Sequence, residues 1–179
     1  MPRITLVALV LGSLLVAAGC GGSSSNESSA KDWASGLCSA LTTWTSSVKS
    51  TANSLQANPS KESLKSAAGD IKSASDTLVS DLKDLGKPDT KAGQDAKDAI
   101  DQLSSEVEDD VQEMKSAVDK ASGVQGVVTA ASSVSATLSK MGNQINSAAS
   151  KLESADPGGE LKQAFQNAPA CKDLTSSSS

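Results

Sequence analysis

The feature that most constrains this chain is a helical repeat of apolar residues that runs with almost no interruption from residue 30 to residue 154. Apolar side chains spaced three and four apart line one face of a helix, and no strand candidate competes with that period. The spacing predicts four long helices. The first covers residues 30–57, with Trp33, Leu37, Trp44, Val48 and Leu55 on one face and Leu41 at its edge. Asn58-Pro59 ends it, because proline pushes the preceding residue out of helical geometry. Ser60 is placed to cap the second helix, whose stripe is Leu64, Ala68, Ile71, Ser75, Leu78, Leu82 and Leu85, and Gly86 and Pro88 stop it. The third, residues 89–122, aligns Ala96, Ile100, Leu103, Val107, Val111, Met114, Val118 and Ala121 before Gly123 breaks it. The fourth, residues 124–154, is expected to turn Val124, Val128, Ala131, Val134, Leu138, Met141, Ile145, Ala149 and Leu152 inward. Asp156-Pro157-Gly158-Gly159 is a strong turn signal, followed by a short helix over 161–167 with Leu161 and Phe165 inward.

Four helices of similar length with short connections pack as antiparallel neighbours, so the expected fold is all-α: an up-and-down four-helix bundle with a short C-terminal helix. Only 2% of the 179 residues are aromatic, Tyr and His are absent, and the apolar set is mostly Ala, Val and Leu. Small seam residues of this kind suit closely approaching helices. The lack of His removes the commonest general base and the commonest metal ligand together. No nucleophile-elbow motif is present, and the many serines, Ser63, Ser66, Ser73 and Ser75 among them, read as helix surface or close-packing residues. No enzyme activity, metal or cofactor is expected. The formal charge is −5, and a mildly acidic chain without a basic stripe does not fit nucleic acid or anionic headgroups.

Ahead of the bundle stands a segment of another kind. Residues 1–3 carry a single side-chain charge, Arg3, and residues 4–18 are apolar except for Thr5, Gly12 and Ser13. That run is shorter than the roughly 20 apolar residues of a spanning helix and no charge cluster follows it, so it reads as a removable export signal. It ends in Val16-Ala17-Ala18-Gly19-Cys20, which resembles the lipobox of bacterial lipoproteins. The departure from that pattern is Ala17, where the family most often has Leu, and an ordinary signal-peptidase cut after Ala18 or Gly19 is the alternative. The resemblance covers the targeting segment alone. It implies removal of residues 1–19, diacylglycerol on the Cys20 sulfur, and a lipid anchor at the extracytoplasmic face of the cell membrane. Two acyl chains hold a protein stably without help from basic residues, which suits a mature chain with 15 basic residues against 21 acidic. Residues 20–29 then read as a lipidated cysteine and Gly/Ser tether, residues 30–174 as the bundle domain, and residues 175–179 as a disordered tail.

Two cysteines remain, Cys38 early in the first helix and Cys171 beyond the fourth. In an antiparallel bundle these places lie at the same pole, and an exported chain favours oxidation, so a Cys38–Cys171 disulfide is expected. No C-x-x-C motif or histidine is present to make either thiol reactive.

Two constellations are candidates for function. Glu106, Glu108, Asp109, Asp110 and Glu113 crowd the third helix at spacings that set like charges together, a candidate interaction face for a protein or envelope partner. Trp33 and Trp44, eleven residues apart, point the same way from the first helix; their first expected role is core, and the wall of a ligand pocket is the alternative. The first pattern suits an envelope-associated interaction protein. The second suits a lipoprotein that holds a small apolar molecule between helices.

Overall fold

The first long helix, α1 (Ala30–Ala57), starts where Ser29 supplies a cap: the Asp32 N–H donates to Ser29 Oγ (3.2 Å), and the Trp33 N–H donates to the Ser29 carbonyl (2.9 Å). The computed structural model describes residues 27–57 and 60–176, so the export segment, Cys20 and residues 177–179 lie outside the described residues. Just before the cap, β1 (Glu27–Ser28) pairs in parallel with β2 (Lys87–Pro88). Glu27 to Ser29, read from the sequence as part of the tether, form this strand and the cap.

α2 (Lys61–Asp84) opens with a capping box in which Ser60 and Ser63 satisfy each other's backbone amides. α3 (Gly93–Asp119) and α4 (Gly123–Ala155) follow, the latter entered through Gly123 at φ 64°, a conformation that glycine adopts without strain. α5 (Glu160–Asn167) is the expected short helix. A further short helix, α6 (Pro169–Ser176), was not expected and takes in the first two residues assigned to the tail.

The chain runs up α1, down α2, up α3 and down α4. α1 packs along α2, α2 along α3 and α3 along α4, while α5 and α6 lie against α1. The disulfide joins Cys38 of α1 to Cys171 of α6, with Cα atoms 4.9 Å apart. The expected all-α, antiparallel, disulfide-closed bundle is what the chain forms.

The core has two sections. At the pole where α1 begins, Trp33, Leu37, Leu82, Ile100, Leu103, Met141 and Leu161 pack together. At the far pole, Leu64, Ile71, Met114, Val118 and Val134 do so, and Val48 and Leu138 touch both sections. Every residue of the expected α3 stripe is buried. The α4 stripe departs from expectation at three positions: Val124 is 84% exposed, Val128 55%, and Ala149 is exposed as well. Near its start the inward residues are Val127, Ala130 and Val134. At about 100° per residue, Val124 stands about 100° and Val128 about 140° around the helix from Met141, whereas Val127 stands within about 40° of it.

Candidate functional site

Three sides of the bundle are sealed by helix-on-helix packing, and the fourth, between α1 and α4, is filled by α5 and α6 against α1. A cleft of about 560 Å³ remains at this seam. Its floor is aliphatic: Leu37 and Leu41 from α1, Ile100 and Leu103 from α3, Leu152 from α4 and Leu161 from α5, all buried. Ile145, Ala148 and Ala149 form the α4 side, and Phe165 the α5 side. Polar side chains are confined to Asn146, Glu153, Lys162 and Gln166, each of them exposed. The volume falls within the roughly 300–1,000 Å³ of small-molecule sites, and an apolar floor with a few polar groups is their common lining.

Two devices hold the α5 side in place. The carboxylate of Asp156, itself buried, accepts from the backbone N–H of Glu160 (3.1 Å), Leu161 (2.8 Å) and Lys162 (3.2 Å), satisfying the first turn of α5 and complementing its dipole. The disulfide is the second, since Cys38 and Cys171 both line the cleft. Small residues then let α1 and α5 approach: Ala34, Ala164 and Ala168 form a compact cluster with Ala30, Phe165 and Cys171 around it.

Neither tryptophan lines this cleft. Trp33 is fully buried, its ring edge-on to Phe165 at 6.1 Å between centroids, and its indole N–H donates to the Gly86 carbonyl at 3.2 Å. Trp44 donates to Ser75 Oγ at 3.0 Å and borders a cavity of about 90 Å³ between α1 and α2. Both indoles are core residues. That is the role expected first for them, and the cleft wall, their alternative role, is made by Phe165 and the aliphatic residues.

The acidic constellation on α3 also resolves differently. Asp110 is not on an exposed face: it stands three residues from Val107 and four from Met114, which places it on the buried side, and it is 1% exposed. Its Oδ1 accepts from Lys140 Nζ of α4 at 2.6 Å, while its Oδ2 is buried without a hydrogen-bond partner. The same lysine lies 3.7 Å from Glu113, Lys83 pairs with Glu108 at 2.7 Å, and Gln102 donates to Glu106 at 2.8 Å. Asp109 remains exposed on the rim of the α3–α4 groove that Asp110, Lys140 and Gln144 also line. Two lysines therefore stand beside three of the five carboxylates.

The hydrogen bond and charge of Asp110, with Glu113 behind it, hold the Lys140 ammonium above the ordinary lysine range. A base whose folded pKa is raised stabilises fully below its unfolded value, so this contribution persists through neutral pH and fades only as alkaline pH passes the folded value. Lys140→Met strands a buried carboxylate. Its urea midpoint is expected to fall, and by more than that of Lys83→Met, which breaks an exposed pair.

Among the described residues, no group of His, Cys, Asp and Glu is placed to hold a metal ion, and no helix is long and apolar enough to cross a membrane. No family model, curated protein or solved structure matches the chain.

Proposed function

We propose that this chain is a lipoprotein held by diacylglycerol on Cys20 at the extracytoplasmic face of the cell membrane, and that its bundle binds a small apolar ligand in the α1–α4 cleft. The observation that carries the binding reading is the cleft's construction. Leucine and isoleucine side chains from four helices form its floor, and the polar side chains that line it are exposed ones. Hydrocarbon placed against such a floor gains about 25 cal/mol per Å² removed from water, while a polar group there finds no partner. The anchor reading draws on the lipobox-like sequence ending at Cys20. The reading in which the acidic face of α3 contacts an envelope partner has less support, because Asp110 is buried and Glu108 and Glu113 have lysines beside them.

Two tests separate the parts of this proposal. A Cys20→Ser precursor is expected to lose incorporation of an alkyne-tagged fatty acid and to leave the membrane fraction; full membrane retention contradicts the anchor. Fluorescence titration of the mature protein with N-phenyl-1-naphthylamine is expected to give saturable binding at one site. Ala149→Trp, which places a large ring from an exposed position at the mouth, and Ile145→Trp, which fills the α4 side, should each weaken that binding tenfold or more while leaving the helical circular dichroism unchanged. Undiminished binding in both folded variants contradicts the cleft as the site.

A further inference from the structure

The cleft lies at one end of the bundle, and it is the end from which the anchor departs. Ala30, the first residue of α1, belongs to the same small cluster as Phe165 and Cys171, which line the cleft. The β1–β2 pairing fixes the chain one step earlier, at Glu27. From Cys20 to Glu27 is seven residues, a length that spans at most about 25 Å fully extended. Lipid on Cys20 would therefore keep the cleft end of the molecule within that distance of the headgroups.

The lining adds the chemistry of the occupant. Leu41, Leu103, Ile145 and Leu152 offer no hydrogen-bonding group, so the inserted part of the ligand is hydrocarbon. At the mouth, Lys162 and Glu153 bring one positive and one negative side chain, an arrangement that receives a head carrying both a phosphate and an amine. We propose that the occupant is an acyl chain of a glycerophospholipid drawn from the membrane to which the protein is anchored, its headgroup left at the rim beside Lys162 and Glu153. This inference rests on the cleft and the anchor reading given above. It adds the ligand's class and its source.

The test uses the mature lipidated protein reconstituted into vesicles of phosphatidylethanolamine and phosphatidylglycerol. The vesicles contain a trace of phosphatidylethanolamine that carries a diazirine near the end of one acyl chain. After irradiation, peptide mapping is expected to place the label on Leu41, Leu103 or Ile145, and Ala149→Trp is expected to lower it tenfold or more. N-phenyl-1-naphthylamine binding is followed on the same samples. Naphthylamine binding without cleft labelling overturns the phospholipid inference and leaves the cleft reading standing; loss of both overturns both. In a parallel preparation the photoreactive chain is carried by Cys20 itself. Cleft labelling from that chain and none from vesicle lipid assigns the cleft to the protein's own anchor and overturns the proposal.

Discussion

A mature protein in which Cys38 and Cys171 are both alanine is expected to be about 5 kcal/mol less stable than the oxidised form. The bridge spans 133 positions, and the entropy of closing a loop of that size in the unfolded chain is worth about 5 kcal/mol. Single domains have only about 5–15 kcal/mol in total, so the variant is expected to be largely unfolded at 37 °C or close to it. The bridge also acts in the folded state. It ties α6 to the first third of α1 beside the cluster of Ala34, Ala164 and Ala168, and its sulfurs form part of the cleft wall. The measurement is urea denaturation of the oxidised protein, the dithiothreitol-reduced protein and the double variant. The last two are expected to coincide, with lower midpoints and weaker N-phenyl-1-naphthylamine binding. A reduced protein with the midpoint of the oxidised one contradicts the structural role of the bridge.

Trp33→Ala is expected to cost about 3–5 kcal/mol, the usual range for removing a large buried aromatic. Trp33 is 0% exposed and joins α1 to the turn after α2 through Gly86 and to α5 through Phe165. Gly86 stands at φ 61°, so the carbonyl that receives the indole N–H is presented by a turn that favours glycine. Trp33→Phe separates the two contributions. It keeps an aromatic body and loses the hydrogen bond, and its expected cost is nearer 1–2 kcal/mol, from the stranded Gly86 carbonyl and the smaller ring. The alanine variant should also loosen Phe165 and weaken apolar probe binding. Equal losses for the two substitutions would mean that the ring contributes nothing beyond its N–H.

The legible part of this chain is the part governed by local rules. Proline after Asn58, the serine cap at 60 and the three-and-four spacing of leucine and valine act within one or two turns, and α1 and α2 form where those signals put them. The cysteine pair was legible because topology alone brings the two ends to one pole. The cleft was not, since it arises from what α5 and α6 leave open between α1 and α4. Those packing choices are made by Ala34, Ala164 and Ala168, small residues with no distinctive pattern. Asp110 looked like one more surface acid among neighbours; its spacing from Val107 and Met114 carried the signal, but its partner Lys140 lies thirty residues away on another helix. Trp33 and Trp44 did point inward, as their spacing required, and the inward side was core rather than cavity. Val124 and Val128 show the limit of extending a stripe: steps of three and four hold one face only while they alternate, and the two successive steps of three from Val128 to Val134 carry the first turn of α4 off it.

The central claim is that the α1–α4 cleft takes apolar ligands. The most direct measurement of it is a backbone amide chemical-shift titration of the isotope-labelled mature protein with decanoic acid. The expected shifts are saturable and cluster on Leu37 to Leu41, Ile145 to Leu152 and Leu161 to Phe165, the segments that line the cleft. Shifts centred on Glu106 to Glu113, or spread without saturation over the surface, contradict it.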